Sequence, residues 1–356
     1  MIQYILRRLL VLPVIMFLVT AIVFLLILQV PAEQRVTAYI PSTNPHITEK
    51  EFQELIDLTI QRYGLDKPPT TQYALWVTNL ARGDWGYSPS WRQPVLEGLL
   101  QRAPATIELI LFAMVPSFVF AILLGRLAVR RQGRIPDYAI RLSTSIGWSF
   151  PPFILALILM NVFYAWLHWF PPERMSDWAS IIVNSENFSN YTGLLTIDAL
   201  LNGNLPLFVD ALRHLALPGF TLALAMWALL TRIMRASLLE VMSMDYITTA
   251  RSKGLSERAV IREHATRNAI LPLISTGGVI GASLITTVTV IETVFSINGI
   301  GRWAVISFLS SEIPVTVGFT LFSCFVTVLS SLIADIFYAL ADPRIRLFVD
   351  TGSIAE

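Results

Sequence analysis

The sequence predicts an all-α polytopic membrane protein with six transmembrane helices. Of its 356 residues, 54% are hydrophobic and 14% are charged, whereas soluble domains average about 25% charged residues. Six stretches are apolar over lengths that can cross about 30 Å of hydrocarbon as a helix. They lie at residues 9–30, 105–129, 142–170, 214–234, 273–295 and 314–340. The composition therefore excludes a soluble domain, and the net charge of +1 gives no indication of a nucleic-acid partner.

The first span follows a short basic N-terminus. Arg7 and Arg8 precede the apolar run, which is longer than the roughly 7 to 15 residues of a signal-peptide core and has no small-residue cleavage site after it. Residues 1–30 are therefore predicted to form an N-terminal transmembrane helix. The predicted cytoplasmic segments carry 16 of the 26 basic residues, and cytoplasmic loops are generally enriched in Lys and Arg. This bias places both termini in the cytoplasm.

Residues 31–104 form a long outer loop that is predicted to be structured. Thr48 and Glu51 have the spacing of a capping box, and the apolar residues that follow recur at helical intervals. The same spacing begins again after Pro68, until Gly83 ends it. Two amphipathic helices outside a membrane need a surface to cover. We expect them to pack on the outer ends of the spans or on the bilayer interface.

The segment at 245–272 is polar, lies between two apolar spans and carries eight charged residues. It must lie outside the bilayer, because each charge at the centre of a membrane helix costs about 2.5 to 3.5 kcal/mol. Its pattern predicts a helix at 248–253, a Gly254 with positive φ, and a second helix capped by Ser256. Pro272 is expected to break the chain direction as the next span begins. Such a jointed helix would act as a lever on both spans; the alternative is a basic loop that only fixes topology.

The motifs of nucleotide, metal and covalent chemistry are missing. There is no Gly-x-x-x-x-Gly-Lys-[Ser/Thr] phosphate loop and no His-Glu-x-x-His sequence. The four His residues are scattered, and the lone Cys324 lies in an apolar run, where neither a disulfide nor a cysteine-based metal site is expected. We therefore expect no catalytic residues, no cofactor and no bound metal, and the chain is not predicted to be an enzyme.

Two acidic residues near span ends have structural interpretations. Glu108 lies close to the predicted start of the second span, where a helix dipole stabilises a carboxylate. Asp335 lies near the cytoplasmic end of the last span and is expected to pair with Arg344 or Arg346.

A third acid and a double proline are candidates for a gate or a substrate path. Glu292 lies near the outer end of the fifth span, and acids within membrane segments are functional candidates. The alternative for Glu292 is an interfacial ion pair with Arg302. Pro151 and Pro152 leave at least one backbone carbonyl unpaired, which is tolerated only against protein or a cavity. Together with Ser149 they are therefore candidates to line a pathway.

Residues 245–255, Asp-Tyr-Ile-Thr-Thr-Ala-Arg-Ser-Lys-Gly-Leu, resemble the cytoplasmic EAA-motif loop of ABC importer permeases, in the version of the dipeptide/oligopeptide family. Further strings similar to that family recur in order along nearly the whole chain. They begin at Tyr4 (YILRR), Tyr63 (YGLDKP), Arg82 (RGDWGYS), Pro104 (PATIEL), His214 (HLALP), Glu292 (ETVFS), Gly299 (GIGR) and Asp342 (DPRIR). The chain departs from the broader importer motif at Thr248, where that motif has Glu, so a contact through that carboxylate is not carried over.

The resemblance implies the type I ABC importer permease fold, of the first-permease type, in a prokaryotic inner membrane. The permease core would span residues 105–340, with a coupling loop at 237–272, an outer loop at 171–213 and a cytoplasmic tail at 341–356. Its partners would be membrane lipid, a second homologous permease, two cytoplasmic ABC ATPases and an extracytoplasmic binding protein that delivers peptides. The contacts with the ATPases would fall on Asp245, Thr249, Ala250, Arg251, Lys253, Gly254, Leu255 and Ser256.

Other functions are weighed against this one. The same architecture serves the import of oligosaccharides or metal chelates, so the cargo stays open. An ion-driven secondary transporter would need inverted repeats and carboxylates in the middle of its spans, neither of which the sequence shows. A receptor or structural membrane protein would not need a glycine-hinged lever.

Overall fold

The computed structural model describes residues 2–31, 35–36, 39–40 and 48–341, and its regular structure is helical apart from one short β-hairpin. The first elements are α1 (Ile2–Ile27), α2 (Glu49–Tyr63), α3 (Pro69–Ala81), β1 (Tyr87–Ser88), β2 (Gln93–Pro94), α4 (Val95–Arg130), α5 (Ile135–Ser149) and α6 (Pro152–Met160). They are followed by α7 (Asp177–Val183), α8 (Leu195–Leu201), α9 (Leu205–Val241), α10 (Asp245–Ser252), α11 (Glu257–Ala259), α12 (Thr266–Val294), α13 (Ile300–Leu309) and α14 (Ile313–Ala341). Two π-helical segments, Asn161–Trp166 and Val260–Ala265, continue α6 and precede α12.

Four of the described helices, α1, α4, α9 and α14, are each long and apolar enough to cross a membrane. Two bent pairs raise the number to six if each pair forms one span. One pair is α5 with α6 and its π-helical continuation. The other runs from Glu257 to Val294 and bends by 54°. The predicted all-α polytopic membrane fold is therefore confirmed.

The third predicted span is not a single helix. α5 and α6 meet at an angle of 98°, and Phe150 between them is extended, with φ −87° and ψ 125°. A residue that precedes a proline is pushed out of the helical region, and Pro151 and Pro152 have no N–H groups with which to continue α5. The span predicted at 142–170 is therefore part of a bent pair of helices, because the double proline turns the chain by nearly a right angle.

Prolines elsewhere do not interrupt the helices that contain them. α4 begins at Val95 and encloses Pro104, so this helix starts earlier than the span predicted at 105–129. Pro272 lies inside α12, and the break predicted there is wrong. A proline removes one backbone hydrogen bond from a helix, and neighbouring groups can compensate for that loss in membrane helices. The departures from a straight α-helix lie elsewhere, in the π-helical turn Val260–Ala265 and at the 54° bend between Gly281 and Ser283.

The outer loop contains the two predicted helices, α2 and α3. The Thr48 hydroxyl accepts a bond from the Glu51 N–H, and the Glu51 carboxylate accepts one from the Thr48 N–H at 2.9 Å, which confirms the capping box. Gly83, just after α3, has φ +88°. α3 packs on the outer end of α1, where the Tyr73 hydroxyl lies 2.9 Å from Thr20 Oγ1. α3 therefore packs on a span, and the placement of the loop outside the membrane stays a prediction.

The bundle is organised around α9, which packs against α4, α5 and α12. Buried side chains of α4, α9 and α12 form one large apolar cluster, which also includes residues of α10 and of the π-helical turn before α12. α4 and α9 approach closely at Gly219, where a Cβ would lie 2.4 Å from Cδ1 of Phe112. This packing holds in place the helices whose ends carry the candidate functional residues.

Candidate functional site

Helix α10 is held to the inner end of the bundle, predicted to be cytoplasmic, by a narrow apolar face. Ile247 and Ala250 are 0% and 5% exposed, and their spacing places them on one side of the helix. They belong to the same buried cluster as Val260 and Ile261 of the π-helical turn. The other side chains of α10 are exposed. One edge of α10 therefore seats it on the bundle, and its other faces are open to a partner.

The chain leaves α10 through the predicted glycine turn. Gly254 has φ +83°, a left-handed value that costs an L residue roughly 1–2 kcal/mol. No heavy atom lies within 4 Å of the place that a Cβ would take, so glycine is needed there for the backbone and not for space. Ser256 Oγ then accepts a bond from the Ala259 N–H at 3.3 Å and caps α11.

An ion pair closes this turn. Arg251 Nε lies 2.6 Å from Glu257 Oε1, and the two side chains are 41% and 56% exposed. Exposed pairs of this kind contribute about 0–1 kcal/mol. Both residues also border a cleft between the inner ends of α4 and α9, which Gln132 and Met242 line from the other side. The ion pair therefore contributes to the conformation of the loop but adds little to its stability.

The predicted contact residues divide between two faces of the segment. Ala250 is buried, so it seats α10 and does not present a contact surface. Sequence reasoning missed two apolar neighbours, Met244 and Tyr246, whose side chains are 43% and 40% exposed. The helical spacing of the buried residues on α10 could have indicated that Tyr246 lies on the exposed side of this helix. The predicted contacts that are exposed are Asp245, Thr249, Arg251, Lys253, Gly254, Leu255 and Ser256.

Buried polar contacts tie this end of the molecule together. Arg126 Nε on α4 donates to Thr266 Oγ1 at 2.9 Å, and the Thr266 hydroxyl donates to the Ile261 carbonyl at 2.7 Å. Nearby, the Asp137 carboxylate of α5 accepts two bonds from Arg235 of α9, at 2.8 and 3.0 Å. The π-helical turn is therefore tied to α4 as well as to α12.

At the outer end of α12, Glu292 is fully buried and joins three helices. Its carboxylate accepts bonds from the Thr106 hydroxyl of α4 at 2.5 Å and from the Arg302 N–H of α13 at 3.0 Å. The guanidinium of Arg302 donates instead to the Ser296 carbonyl at 3.0 Å. The predicted ion pair between Glu292 and Arg302 is therefore wrong, because the carboxylate binds the N-terminus of α13. Its assignment to an outer gate or substrate path stays a prediction.

Glu108 has a different role from the one predicted. α4 begins at Val95, so Glu108 is not in the first turns and the helix-dipole explanation is wrong. Its carboxylate accepts bonds from Arg174 Nη2 at 2.9 Å and from the Thr196 N–H and hydroxyl at 2.6 and 2.7 Å. Glu108 therefore fastens the second outer loop to α4. The arginines proposed as partners of Asp335 lie outside the described residues.

The predicted pathway residues of the third span lie at the bend between α5 and α6. Ser149 is exposed, and its hydroxyl donates to the Ser145 carbonyl at 2.8 Å. Pro151 is exposed and Pro152 is partly buried. A cavity of about 740 Å³ opens nearby between α4, α5 and α9, and Gly147 and Trp227 are among its lining residues. The three predicted residues do not line that cavity, and their place on a pathway stays a prediction.

The described residues contain no group of three or more His, Cys, Asp or Glu side chains that could hold a metal ion. Cys324 is a free, partly buried thiol on α14. The polar groups that the fold brings together are hydrogen-bonded ties between helices. Such an arrangement can bind partners and transmit movement.

Comparisons with known proteins give a consistent result over nearly the whole chain. A family model described as "Binding-protein-dependent transport system inner membrane component" matches residues 117–347, and its N-terminal companion matches residues 1–110. The di/tripeptide transport system permease protein of Pseudomonas aeruginosa is 37% identical over 81% of this chain and 84% of its own length. The oligopeptide permease protein of Bacillus subtilis is 33% identical over 97% of this chain and 100% of its own. The dipeptide permease protein of Escherichia coli strain K12 is 34% identical over 97% and 99%.

Proposed function

Because this chain belongs to the family of inner membrane components of binding-protein-dependent transport systems, we propose that it is the peptide permease of an ATP-driven importer. An extracytoplasmic binding protein would deliver dipeptides or oligopeptides to it. The names of the relatives, which are permeases for di-, tri- and oligopeptides, support this class of cargo.

The observation that carries the proposal is the seating of α10. This helix is anchored by Ile247 and Ala250 and joined through short connections to α9 and α12, while its remaining faces are open. A partner bound to the exposed face of α10 would therefore be connected to both α9 and α12. The partners we propose are two cytoplasmic ATPases, one for this chain and one for a second homologous permease, with both termini of this chain on the same side. ATP hydrolysis belongs to those ATPases, because this sequence has no phosphate loop.

Helix α12 provides a route from the coupling segment to the outer end. It has 29 residues, which corresponds to about 44 Å of helix at about 1.5 Å per residue, measured along a path that bends by 54° between Gly281 and Ser283. Its first turn contains Thr266, bound to α4, and its last turns contain Glu292, bound to α4 and α13. A ligand can shift such a system only through different affinities for its two states. In the proposed cycle, closure of the ATPases displaces α10, and α12 carries that displacement to the Glu292 contacts.

Reconstitution tests the coupling. The chain would be purified with the ATPases, second permease and binding protein encoded beside it, and ATP hydrolysis and peptide uptake measured in proteoliposomes. Gly254→Pro forces a negative φ where the native value is +83°, and Arg251→Glu places a like charge beside Glu257. We expect both variants to lose the stimulation of ATP hydrolysis by loaded binding protein, together with uptake. Arg82→Glu, the same charge change on the exposed outer loop, is the control and should keep both.

Other outcomes would overturn the proposal in identifiable ways. Full coupling in both variants would contradict the role of α10. Uptake by this chain alone, driven by a proton or sodium gradient, would favour a secondary transporter. Competition of peptides, oligosaccharides and metal chelates for the binding protein would decide the cargo.

A further inference from the structure

A small cavity lies between the outer loop and the outer ends of α1 and α14. Its volume is about 50 Å³. Phe24 of α1 and Pro314 of α14 are among the residues that form its apolar floor, at the level where these two spans end. Its walls are aromatic and come from the outer loop. They include Tyr39, Tyr63, Trp76 and Trp85.

A buried cation reaches this cavity. Arg35 is only 8% exposed, and its Nη1 donates to Gln72 Oε1 at 2.8 Å. Gln72 is itself held by bonds from its Nε2 to the Leu65 and Lys67 carbonyls at 2.8 and 2.7 Å, which orients its oxygen towards Arg35. Nε of Arg35 is enclosed and has no hydrogen-bond partner in the described part of the chain. An unsatisfied donor on a buried charge is unfavourable, and the guanidinium of Arg35, which lines the cavity, favours an anionic ligand there.

A carboxylate stands at the mouth of the same cavity. Asp84 lines it and is exposed to solvent. The Tyr63 hydroxyl donates to Asp84 Oδ2 at 3.5 Å, a long contact that leaves room for a stronger donor. Burial, and then the charge of Asp84, raise the pKa of Tyr39 to about 12, while Arg35 acts in the opposite direction. Tyr39 therefore stays neutral near pH 7, and Arg35 and Asp84 are the charges that a ligand meets.

We propose that this cavity takes up the aminoethyl end of the headgroup of an ethanolamine phospholipid. The phosphate accepts from Arg35, and the primary ammonium donates to Asp84 between the aromatic rings. Arginine binds phosphate through charge-assisted hydrogen bonds, and aromatic faces attract cations within about 6 Å of the ring centre. The site thus matches a ligand that carries both an anion and a primary ammonium. It is independent of the proposed transport function.

The position of the cavity selects a lipid over a cargo peptide. α1 and α14 are the outermost spans, each with 11% of its apolar window buried, compared with 56% for α9. Exposed Leu25 and Leu26 continue from the cavity along the face of α1, where they can contact an acyl chain. A void of about 50 Å³ holds about four water-sized groups at about 10–15 Å³ each. That space admits an aminoethyl group but neither a dipeptide nor the trimethylated end of choline.

Native mass spectrometry of the full-length chain released from nanodiscs tests this. The nanodiscs would contain phosphatidylglycerol with equal amounts of phosphatidylethanolamine and phosphatidylcholine. We expect retention of the ethanolamine lipid in preference to the choline lipid, and a loss of about tenfold in that preference in both Arg35→Gln and Asp84→Asn, because each removes a charged hydrogen bond. The matched controls are Arg82→Gln and Asp66→Asn, exposed residues of the same loop that do not line the cavity.

Several results would overturn the proposal. Equal retention of the two lipids would remove the headgroup specificity, and unchanged retention in both cavity variants would move the lipid elsewhere. If a free dipeptide displaced the lipid from the native chain but not from the variants, that result would show that the cavity binds cargo and not lipid. Thermal unfolding of each variant shows whether a loss of lipid follows from a loss of fold, and lipid loss only in unfolded variants would also count against the site.

Discussion

The Thr106 hydroxyl donates to the Glu292 carboxylate at 2.5 Å, across 186 residues of chain. The same Thr106 oxygen accepts from the Ile300 N–H at 2.9 Å. α4, α12 and α13 therefore meet at one buried hydroxyl at the outer end of the bundle. In the proposed cycle this junction is where a movement of α12 reaches the outer surface.

Replacing Thr106 tests the strength of this junction. Thr106→Val keeps the shape of the side chain but removes the donor to Glu292 and the acceptor for Ile300. We expect the free energy of unfolding to fall by about 1–3 kcal/mol, the cost of leaving buried polar groups unpaired. Thr106→Ser, which keeps the hydroxyl, should stay close to the native protein. Detergent-micelle unfolding followed by circular dichroism measures both, and equal stability of the two variants would contradict the role of the hydroxyl.

The close approach at Gly299 makes a second prediction. A Cβ at this position would lie 2.1 Å from Glu292 Oε1, so Gly299→Ala must displace the carboxylate or the start of α13. Overpacking of this kind costs about 1–3 kcal/mol. Gly281→Ala is the matched control, because no heavy atom lies within 4 Å of its Cβ position, and it lies beside the 54° bend of α12 and away from Glu292. That control should change the stability by no more than about 0.5 kcal/mol, and a destabilised Gly281→Ala with a normal Gly299→Ala would reverse the assignment.

Two ion pairs at the inner end should differ in strength because their burial differs. The Asp137 and Arg235 side chains are 2% and 21% exposed, whereas those of Arg251 and Glu257 are 41% and 56% exposed. Removing one partner of a buried pair costs about 3–5 kcal/mol, and we expect Asp137→Ala near the lower limit because Arg235 retains some solvent. Glu257→Gln should cost no more than about 1 kcal/mol. Unfolding free energies of the two variants provide the comparison, and similar losses would show that burial is not the deciding factor.

The sequence predicts the features that depend on nearby residues. The capping box of Thr48 and the positive φ of Gly254 follow from local spacing, and the six apolar stretches follow from hydropathy alone. The contacts of Glu108 and Glu292 were not predictable in this way, because their donors are far away in the chain and a single sequence does not indicate which distant groups meet. The break predicted at Pro272 was wrong for another reason. Packing of the helix within the bundle outweighs the local preference of proline against a helix.

The seating of α10 separates a structural residue from a contact residue. Ile247 is 0% exposed and holds the helix to the bundle, whereas its neighbour Tyr246 is 40% exposed. Ile247→Ala should lower the free energy of unfolding by about 2–5 kcal/mol, because it leaves a cavity. It should also reduce the coupling of ATP hydrolysis to uptake, because α10 can then move without α12.

Tyr246→Ala should leave the stability nearly unchanged and weaken the association with the ATPases. The Tyr246 hydroxyl also accepts from Asn268 Nδ2 at 2.7 Å, so Tyr246→Phe separates that bond from the contact surface of the ring. Co-purification of ATPase with each variant, alongside thermal unfolding, distinguishes the two roles. If Tyr246→Ala retained full ATPase binding, the partner would have to approach α10 from its Arg251 side, because that is the other exposed face of the helix.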